Sequence, residues 1–307
     1  MEKRIIVIFC NKKDFFLTRI CVASIRYYYP DVDIYLVKDY LNGDFNSKEL
    51  EKAFSVQELS LGIKKFGWGT AKVHFILSQK FPGEHILILD SDIVFAGRFL
   101  EDLYKASKDS HFAICMEKHD NPYSDFVKAN YYDYNYLNSV DPEFSFPGYF
   151  FNTGQLLVKT GILTGKEMLP YFDAEVYPFC NRLDVLPMPD QSLLNYFLPR
   201  KEQNGQIRIS KLSFMVWIGS DEIKQIKLAG IKKGNEYPFL IHWAGVLRIP
   251  ILSRMILPDV LIFFENYYYS FVPFGTIKKK LRKIVPLGEY ALKNIYNKVK
   301  RTRKTTN

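Results

Sequence analysis

The sequence has few cysteines and no long apolar run, and both absences narrow the choice of protein class. Its four cysteines, Cys10, Cys21, Cys115 and Cys180, are far apart and form no Cys-x-x-Cys pair. This spacing argues against a zinc site and favours buried free thiols in a reducing compartment. The apolar run at residues 5–10 is too short for the core of a signal peptide. No uncharged apolar stretch reaches about 18 residues, so we predict no transmembrane helix.

The chain lacks a general excess of positive charge, although its net charge is +9. Eleven Lys and Arg residues and a single acid, Glu289, lie between Lys278 and Lys304. This segment carries the whole excess, and the rest of the chain is close to neutral. A surface that binds nucleic acid requires aromatic residues interleaved with basic ones, and this segment does not have that pattern. We therefore expect no nucleic-acid partner.

Apolar runs alternate with helical patterns along the first two thirds of the chain. Asp14, Thr70 and Asp190 are predicted N-caps. Strands are predicted over 5–10, 34–37, 86–89, 112–116, 151–158 and 239–243, and helices over 15–28, 70–80, 100–106, 163–172 and 190–198, with a long loop over 118–151. This order predicts an α/β fold with a mostly parallel sheet and helices on both sides.

The run over 86–89 ends abruptly in two carboxylates, Asp90 and Asp92. A short run of aliphatic residues predicts a strand buried on both faces, and ligands bind at the C-terminal strand edge of such sheets. Two acids at this spacing can reach one divalent cation, which can then hold a diphosphate. A second copy of the pattern, Asp31-Val32-Asp33, follows Pro30 and is interpreted as turn chemistry.

Three later segments strengthen this prediction because of their order. They are Phe151-Asn152-Thr153-Gly154-Gln155-Leu156-Leu157-Val158, Asp190-Gln191-Ser192-Leu193-Leu194-Asn195 and His242-Trp243-Ala244-Gly245. Following an Asp-x-Asp strand, they resemble the retaining sugar-nucleotide glycosyltransferases of family 8, which include glycogenin and bacterial lipooligosaccharide galactosyltransferases. The resemblance covers residues 60–250. It implies a GT-A fold over 1–250, a membrane-associating region over 251–307, and transfer of a hexose or pentose from a UDP-sugar to a glycan or glycolipid acceptor.

The resemblance also implies the residues of a donor site. Asp90, Asp92 and His242 would bind Mn²⁺ or Mg²⁺, and a set of carboxylate oxygens with an imidazole nitrogen suits Mn²⁺ better. The metal would bridge the phosphates and stabilise the leaving diphosphate. The resemblance implies four other donor-binding positions, Lys72, Ser91, Gly245 and Arg248. Asn11 departs from the family pattern and could still hydrogen-bond uracil.

Two further positions, Asn152 and Gln191, resemble those that line the reacting sugar in the family, and Asp190 is the carboxylate next to Gln191. An amide is a poor nucleophile, so Gln191 favours a same-face path in which its carbonyl oxygen stabilises positive charge at the anomeric carbon. Asp190 could bind sugar hydroxyls or could act only as a helix N-cap.

Two rival functions remain open at this stage. An inverting GT-A transferase would need a catalytic base, and Asp125 or Glu117 could serve. A non-catalytic membrane-bound scaffold with the same fold is the other. The family usually places an acid after the first strand to read the nucleotide base, whereas this chain has Cys10 and Asn11 there, with Asp39 as a spare acid.

The basic C-terminal segment has its own pattern. Apolar residues recur at helical spacing, pause at Pro286 and Gly288, and then resume; they are Ile277, Leu281, Ile284, Val285, Leu292, Ile295, Tyr296 and Val299. Two basic amphipathic helices predict peripheral binding to an anionic membrane surface, on the cytoplasmic face. The aromatic run over 267–271 would suit the headgroup layer. A solvated tail is the alternative.

Overall fold

Short apolar runs of the sequence become the strands of two sheets. The computed structural model of the chain describes residues 4–67, 69–169, 171–246 and 249–284. In this part of the chain the strands are β1 (Ile5–Asn11), β2 (Asp33–Asp39), β3 (Val56–Glu58), β4 (Ile86–Asp90), β5 (Ile93–Phe95), β6 (Phe112–Lys118), β7 (Tyr149–Phe151), β8 (Gln155–Val158), β9 (Ile209–Leu212), β10 (Met215–Trp217) and β11 (Leu240–His242).

The α-helices alternate with the strands in the first half of the chain and cluster near its end. They are α1 (Phe15–Tyr28), α2 (Lys48–Phe54), α3 (Thr70–Leu77), α4 (Leu100–Ala106), α5 (Asp125–Asn130), α6 (Tyr134–Val140), α7 (Gly165–Met168), α8 (Pro189–Gln203), α9 (Leu228–Lys233) and α10 (Pro258–Ser270). Residues 275–284 are also helical.

The main sheet has the order β3-β2-β1-β4-β8-β6-β7, with β9 paired to β6. The pairs from β3 to β4 and the pair β6–β9 are parallel, whereas β8 runs antiparallel to β4 and β6. A smaller sheet has the order β10-β11-β5. The predicted α/β class and flanking helices are confirmed.

Alternate side chains of the central strands pack in two separate hydrophobic cores, one on each face of the main sheet. Leu87 and Leu89 of β4 pack in the core that includes α1 and α10, while Ile86 and Ile88 pack with α3 and α8 on the other face. All four side chains are fully buried. This confirms a strand buried on both faces, and the alternation directs Asp90 toward α3 and α8.

Several local predictions were wrong for identifiable reasons. Gly69, not Thr70, is the N-cap of α3, and Met188, not Asp190, is the N-cap of α8, because Pro189 takes the first helical position. The predicted strand over 151–158 is interrupted by a turn, and the helix over 163–172 is limited to α7. The predicted loop over 118–151 contains two short helices, α5 and α6. The side chains of Ser124 and Asp133 are their N-caps.

The C-terminal part packs on the main body through α10. Tyr268 of α10 stacks on Phe54 of α2, and Tyr268 and Tyr269 are buried, so the proposed headgroup role of these two residues is wrong. The division at residue 250 stays a prediction, as does the second tail helix, which lies beyond residue 284 and outside the described residues. Within the described ranges, none of the helices has the length and apolarity that crossing a membrane requires.

The cysteines have no disulfide partner. Cys10, Cys21 and Cys115 are buried, as predicted, and Cys180 is partly exposed. Burial raises the pKa of Cys10 to about 12, so this thiol is unreactive near neutral pH.

Candidate active site

Strand pairing brings together side chains that are distant in the sequence. Asp90 ends β4, and Asp92 immediately precedes β5. Strand β5 pairs antiparallel with β11 so that Ile93 faces His242, and the Trp243 backbone N–H donates to the carbonyl oxygen of Asp92 at 3.0 Å. The register of the small sheet therefore places His242 beside the two aspartates.

These three residues form a cluster that could hold a metal ion. Asp90, Asp92 and His242 each offer one ligand atom, and these atoms all lie within 4.8 Å of one another. His242 Nε2 is 3.2 Å from Asp92 Oδ1 and 4.0 Å from Asp90 Oδ2. Both ring nitrogens of His242 are buried and make no hydrogen bond to described residues. Because an orphaned buried nitrogen costs free energy unless it binds something, the donor set fits a divalent cation.

A glycine permits this close approach. The Gly154 carbonyl accepts a hydrogen bond from the Asp90 backbone N–H at 2.7 Å. A Cβ atom at this position would lie 2.3 Å from His242 Cε1 and 3.0 Å from Asp90 Oδ2. Any side chain here would displace the metal-ligand candidates. On the other side, the Trp217 ring stacks on the His242 ring at 5.2 Å between centroids.

Lys72 connects the cluster to the neighbouring helix. Its Nζ lies 2.7 Å from Asp90 Oδ1 and 2.9 Å from Asp190 Oδ2. Burial lowers the pKa of Lys72, but Asp190 and Asp90 outweigh burial and raise it above its ordinary value. The buried ammonium therefore stays charged, and only Asp90 Oδ2 is left to face His242. Burial and the neighbouring Asp92 raise the pKa of Asp90, while Lys72 opposes them.

Asp190 lies in the first turn of α8 and is held from several sides. Besides Lys72, its Oδ2 accepts a hydrogen bond from Thr153 Oγ1 at 2.9 Å. Gly69 has φ +75°, and a Cβ there would lie 2.4 Å from Asp190 Oδ1. With its carboxylate paired and only 12% of its side chain exposed, Asp190 is arranged to position its neighbours.

Amide side chains form a second, adjoining network. Asn152 Nδ2 donates to Gln191 Oε1 at 3.0 Å, and Gln191 Nε2 donates to the carbonyl oxygen of Asn130 at 3.0 Å. Asn195 holds the backbone of Phe151 at two points, because its Oδ1 accepts from the Phe151 N–H and its Nδ2 donates to the Phe151 carbonyl oxygen, which fixes the strand that precedes Asn152. The orientation of the Gln191 amide is thereby set by its surroundings.

A cavity of about 680 Å³ opens onto the three metal-ligand candidates, Lys72, Asp190 and the paired amides of Asn152 and Gln191. It is lined by ten of the positions predicted for the donor and catalytic site, namely Asn11, Lys72, Asp90, Ser91, Asp92, Asn152, Asp190, Gln191, His242 and Gly245. Gly245 has φ +71°, a backbone conformation that glycine adopts without strain. Arg248 lies outside the described residues. We call this cavity the donor cavity.

The end of the donor cavity that is formed by β1 and β2 holds two acids as well as Asn11. Asn11 Nδ2 donates to Asp14 Oδ2 at 3.0 Å, and Asp14 and Asp39 also line the cavity. Asp39 Oδ1 accepts from the backbone N–H groups of Leu41 and Phe66. Asp14 was predicted only as a helix cap, and its side chain makes no capping hydrogen bond.

The two residues considered as bases for an inverting enzyme lie apart from the donor cavity. Glu117 Oε1 accepts a hydrogen bond from Trp217 Nε1 at 2.9 Å, and burial raises the pKa of Glu117. Asp125 is exposed in the first turn of α5. Neither residue is among those that line the cavity.

Sequence reasoning missed three residues that shape the site. Gly154 and Thr153 belong to a segment that was singled out, but their roles depend on side-chain distances that no spacing reveals. Trp217 had no signal in the sequence, because only the register of β10 against β11 places it beside His242.

Known structures share this fold. The bifunctional glycosyltransferase WbbM, in its apo form, is 16% identical with a TM-score of 0.53, over 91% of this chain and 52% of that one. The apo-form glycosyltransferase GlyE of Streptococcus pneumoniae TIGR4 is 15% identical with a TM-score of 0.50, over 87% of this chain and 60% of that one. The chain has the GT-A glycosyltransferase fold. It spans about half the length of WbbM and three fifths of GlyE.

The GT-A fold that the resemblance implied is confirmed by these two structures. Comparison with protein-family models gives no match, and comparison with curated proteins gives none either.

Proposed function

We propose that this GT-A protein is a metal-dependent glycosyltransferase, which moves a hexose or pentose from a UDP-sugar to a glycan or glycolipid acceptor with retention of configuration. The observation that carries the proposal is the cluster of Asp90, Asp92 and His242 at the floor of the donor cavity. His242 distinguishes this cluster from a set of solvated acids, because its ring is buried, its Nδ1 has no hydrogen-bond partner in the described residues and its Nε2 faces both carboxylates, at 3.2 and 4.0 Å.

In this proposal the metal is Mn²⁺ or Mg²⁺, held by Asp90, Asp92 and His242. When bound, it would neutralise charge on a diphosphate leaving group. Lys72 opposes the rise in the pKa of Asp90 and holds one of its carboxylate oxygens, which leaves the other oxygen toward the cluster. Ser91 and Gly245 line the same cavity and are proposed to contact the donor, together with Arg248.

The amide network supports the retaining reaction. Gln191 presents an amide with a fixed orientation, and Asp190 is paired with Lys72 and Thr153, so neither is arranged as a free carboxylate nucleophile. We propose that the leaving group departs and the acceptor attacks from the same face. Gln191 and Asn152 would stabilise the positive charge that develops on the sugar.

Calorimetric titration with UDP and Mn²⁺ tests the donor site. Wild-type protein should bind UDP only with the metal, and Asp92→Ala should lose this binding while its melting temperature without ligand is retained. Asp102→Ala, in the first turn of α4, is a matched control and should bind as wild type does. Equal UDP binding by Asp92→Ala would show that the site is misassigned. A scaffold would bind no UDP at all.

We also propose that the C-terminal part binds an anionic membrane surface, at the cytoplasmic face. Four apolar side chains lie along one side of the helix at 275–284 and just before it, and their exposed fractions are 79% for Phe274, 58% for Ile277, 58% for Leu281 and 62% for Ile284. An exposed apolar row on a basic helix suits insertion at a lipid interface.

Flotation with anionic vesicles tests the membrane proposal. Ile277→Ser with Leu281→Ser should release the protein from vesicles. Val140→Ser with Leu169→Ser, which removes two apolar groups that are also about half exposed, should not. Rising salt should weaken the binding by wild type because salt screens its charges. Unchanged flotation of the Ile277 and Leu281 variant would contradict the proposal.

A further inference from the structure

A second cavity lies beside the donor cavity and has a different chemistry. Its volume is about 330 Å³, and it is bounded by the start of α1, by α10 and by the helix at 275–284. Six cationic side chains line it: Lys12, Lys13, Arg19, Lys279, Arg282 and Lys283. Glu265 is the one acid among its lining residues. We call it the basic cavity.

The cations on the C-terminal side have acidic partners. Arg282 Nη1 lies 2.7 Å from Glu49 Oε1. Lys279 and Lys283 share Glu265, at 2.8 and 3.1 Å from its Oε2. These two acids are too few for the charges that meet here, because Glu49 also pairs with Lys278.

The cations on the α1 side have no such partner in the described part of the chain. No acid lies within salt-bridge distance of Lys12, Lys13 or Arg19 there. The Arg19 guanidinium lies 4.6 Å from the Phe15 ring centroid, and its Nε is buried without a hydrogen-bond partner. Burial, followed by repulsion from Arg282, lowers the pKa of Arg19. An unpaired guanidinium among like charges is costly unless an anion joins it.

We propose that the basic cavity is a second anion site, which binds a phosphate group separately from the donor site. Cations converge on it from α1, from the loop before α1 and from the C-terminal helix, which suits an anion with several oxygens. The guanidinium groups of Arg19 and Arg282 favour phosphate geometry. The phosphate could be free in solution or carried on a lipid headgroup. This inference does not depend on the proposed glycosyltransferase activity.

The two cavities share a wall made of one short loop. Asn11 and Asp14 line the donor cavity, while Lys12 and Lys13 between them line the basic cavity. The cations on this loop are therefore directed away from the metal-ligand candidates. This separation allows each cavity to be altered without substituting a lining residue of the other.

Thermal shift of the full chain with inorganic phosphate, in EDTA and at constant ionic strength, tests the site. Phosphate should raise the melting temperature of wild type and of Asp92→Ala. For Arg19→Met, and for Lys12→Gln with Lys13→Gln, the apparent affinity should fall roughly tenfold or more, as the loss of a charged hydrogen bond implies. Both variants should keep UDP binding with Mn²⁺. The Lys12 and Lys13 positions are exposed, so this pair tests the idea even if Arg19→Met does not fold.

The control is Lys105→Gln with Lys108→Gln, which removes two exposed cations from α4 and the residues after it. Phosphate affinity should be unchanged in this control. An equal loss in the control and the test variants would show a general charge effect and overturn the proposal, as would the absence of any phosphate effect on wild type.

Vesicles distinguish the two sources of phosphate. Phosphatidylcholine vesicles that contain phosphatidate should bind wild type more tightly than Lys12→Gln with Lys13→Gln if the group is a lipid headgroup, and free phosphate should compete. If free phosphate binds but the two proteins associate equally with these vesicles, the site serves a soluble phosphate. If neither free phosphate nor the phosphatidate vesicles bind through these residues, the proposed anion site is refuted. The binding of UDP with Mn²⁺ at the donor site is tested separately and is not affected by this outcome.

Discussion

Lys72 and Asp190 lie 118 positions apart in the chain, and the Lys72 ammonium is 2.9 Å from the Asp190 carboxylate. The same ammonium contacts Asp90 at 2.7 Å. One buried cation thus joins α3, the end of β4 and the first turn of α8. The metal-ligand candidates and the residues proposed to contact the sugar are parts of a single electrostatic unit.

Replacing this cation should destabilise the fold. Lys72→Met leaves two carboxylates without their partner, and we expect the free energy of unfolding to fall by about 3 kcal/mol, at the low end for a buried pair because Asp90 is one third exposed. Urea unfolding measures this. Lys72→Met with Asp190→Asn should recover part of the loss, and strictly additive losses would contradict the pairing. Lys224→Met, which breaks an exposed pair, should change stability by less than about 0.5 kcal/mol.

Adding one methyl group should damage the metal site. In Gly154→Ala the new Cβ would overlap His242 Cε1, so His242 must move. We expect Mn²⁺-dependent UDP binding to weaken roughly 10- to 100-fold, the usual range when the support of a metal ligand is disturbed. Gly165→Ala has no atom within 4 Å of the new Cβ and should bind as wild type does. Unchanged binding by Gly154→Ala would argue against His242 as a ligand.

The role of Gln191 can be separated from donor binding. Gln191→Ala should lower kcat roughly 100-fold with little change in UDP-sugar affinity, because the amide is proposed to act on charge that develops only in the transition state. Steady-state kinetics and calorimetry measure the two effects. The anomeric configuration of the product, followed by NMR, decides the reaction path, and an inverted product would favour the rival mechanism.

The attachment of the C-terminal helix should depend on pH. Burial favours the neutral form of Glu49, but hydrogen bonds from Arg282, Lys278 and Tyr268 outweigh it and lower the Glu49 pKa from 4.5 to about 2. A lowered folded-state pKa adds stability that is complete above the unfolded pKa and is lost as pH falls. The difference in unfolding free energy between wild type and Glu49→Gln should be constant above pH 4.5 and shrink toward pH 2.

The control for that experiment is Glu143→Gln, whose carboxylate is 82% exposed beside Arg200. Its difference from wild type should be small at every pH. If the difference in unfolding free energy between wild type and Glu49→Gln instead grows on acidification, the lowered pKa assigned to Glu49 is wrong.

The elements most successfully predicted were those with strong apolar patterns. β1, α1, β4 and α4 were found from the sequence within a few residues, since both faces of the strands are buried and the helices are amphipathic. The short strands β3, β5, β9 and β10 were missed. Three or four residues carry too little periodicity, and the partners of β5 and β9 are far away in the chain.

The sequence predicted which residues belong to the site, but not the contacts between their side chains. A familiar order of motifs brought together residues that do line one cavity. The contact of Lys72 with two acids, the steric need for Gly154 and the stacking of Trp217 on His242 depend on distances between elements. Likewise, the excess charge near the C-terminus was visible, whereas its meeting with Arg19 of α1 was not.

The pairing of β5 with β11 has an evolutionary consequence. Because Ile93 faces His242 in this ladder, the separation of Asp92 and His242 is set by hydrogen-bond register and not by the length of chain between them. Surface turns in that long interval can gain or lose residues without disturbing the ligands. A single deletion inside β11 would instead turn His242 to the opposite face of the sheet. The chain around this site can therefore change extensively in sequence and length while Asp90, Asp92 and His242 keep their relative positions.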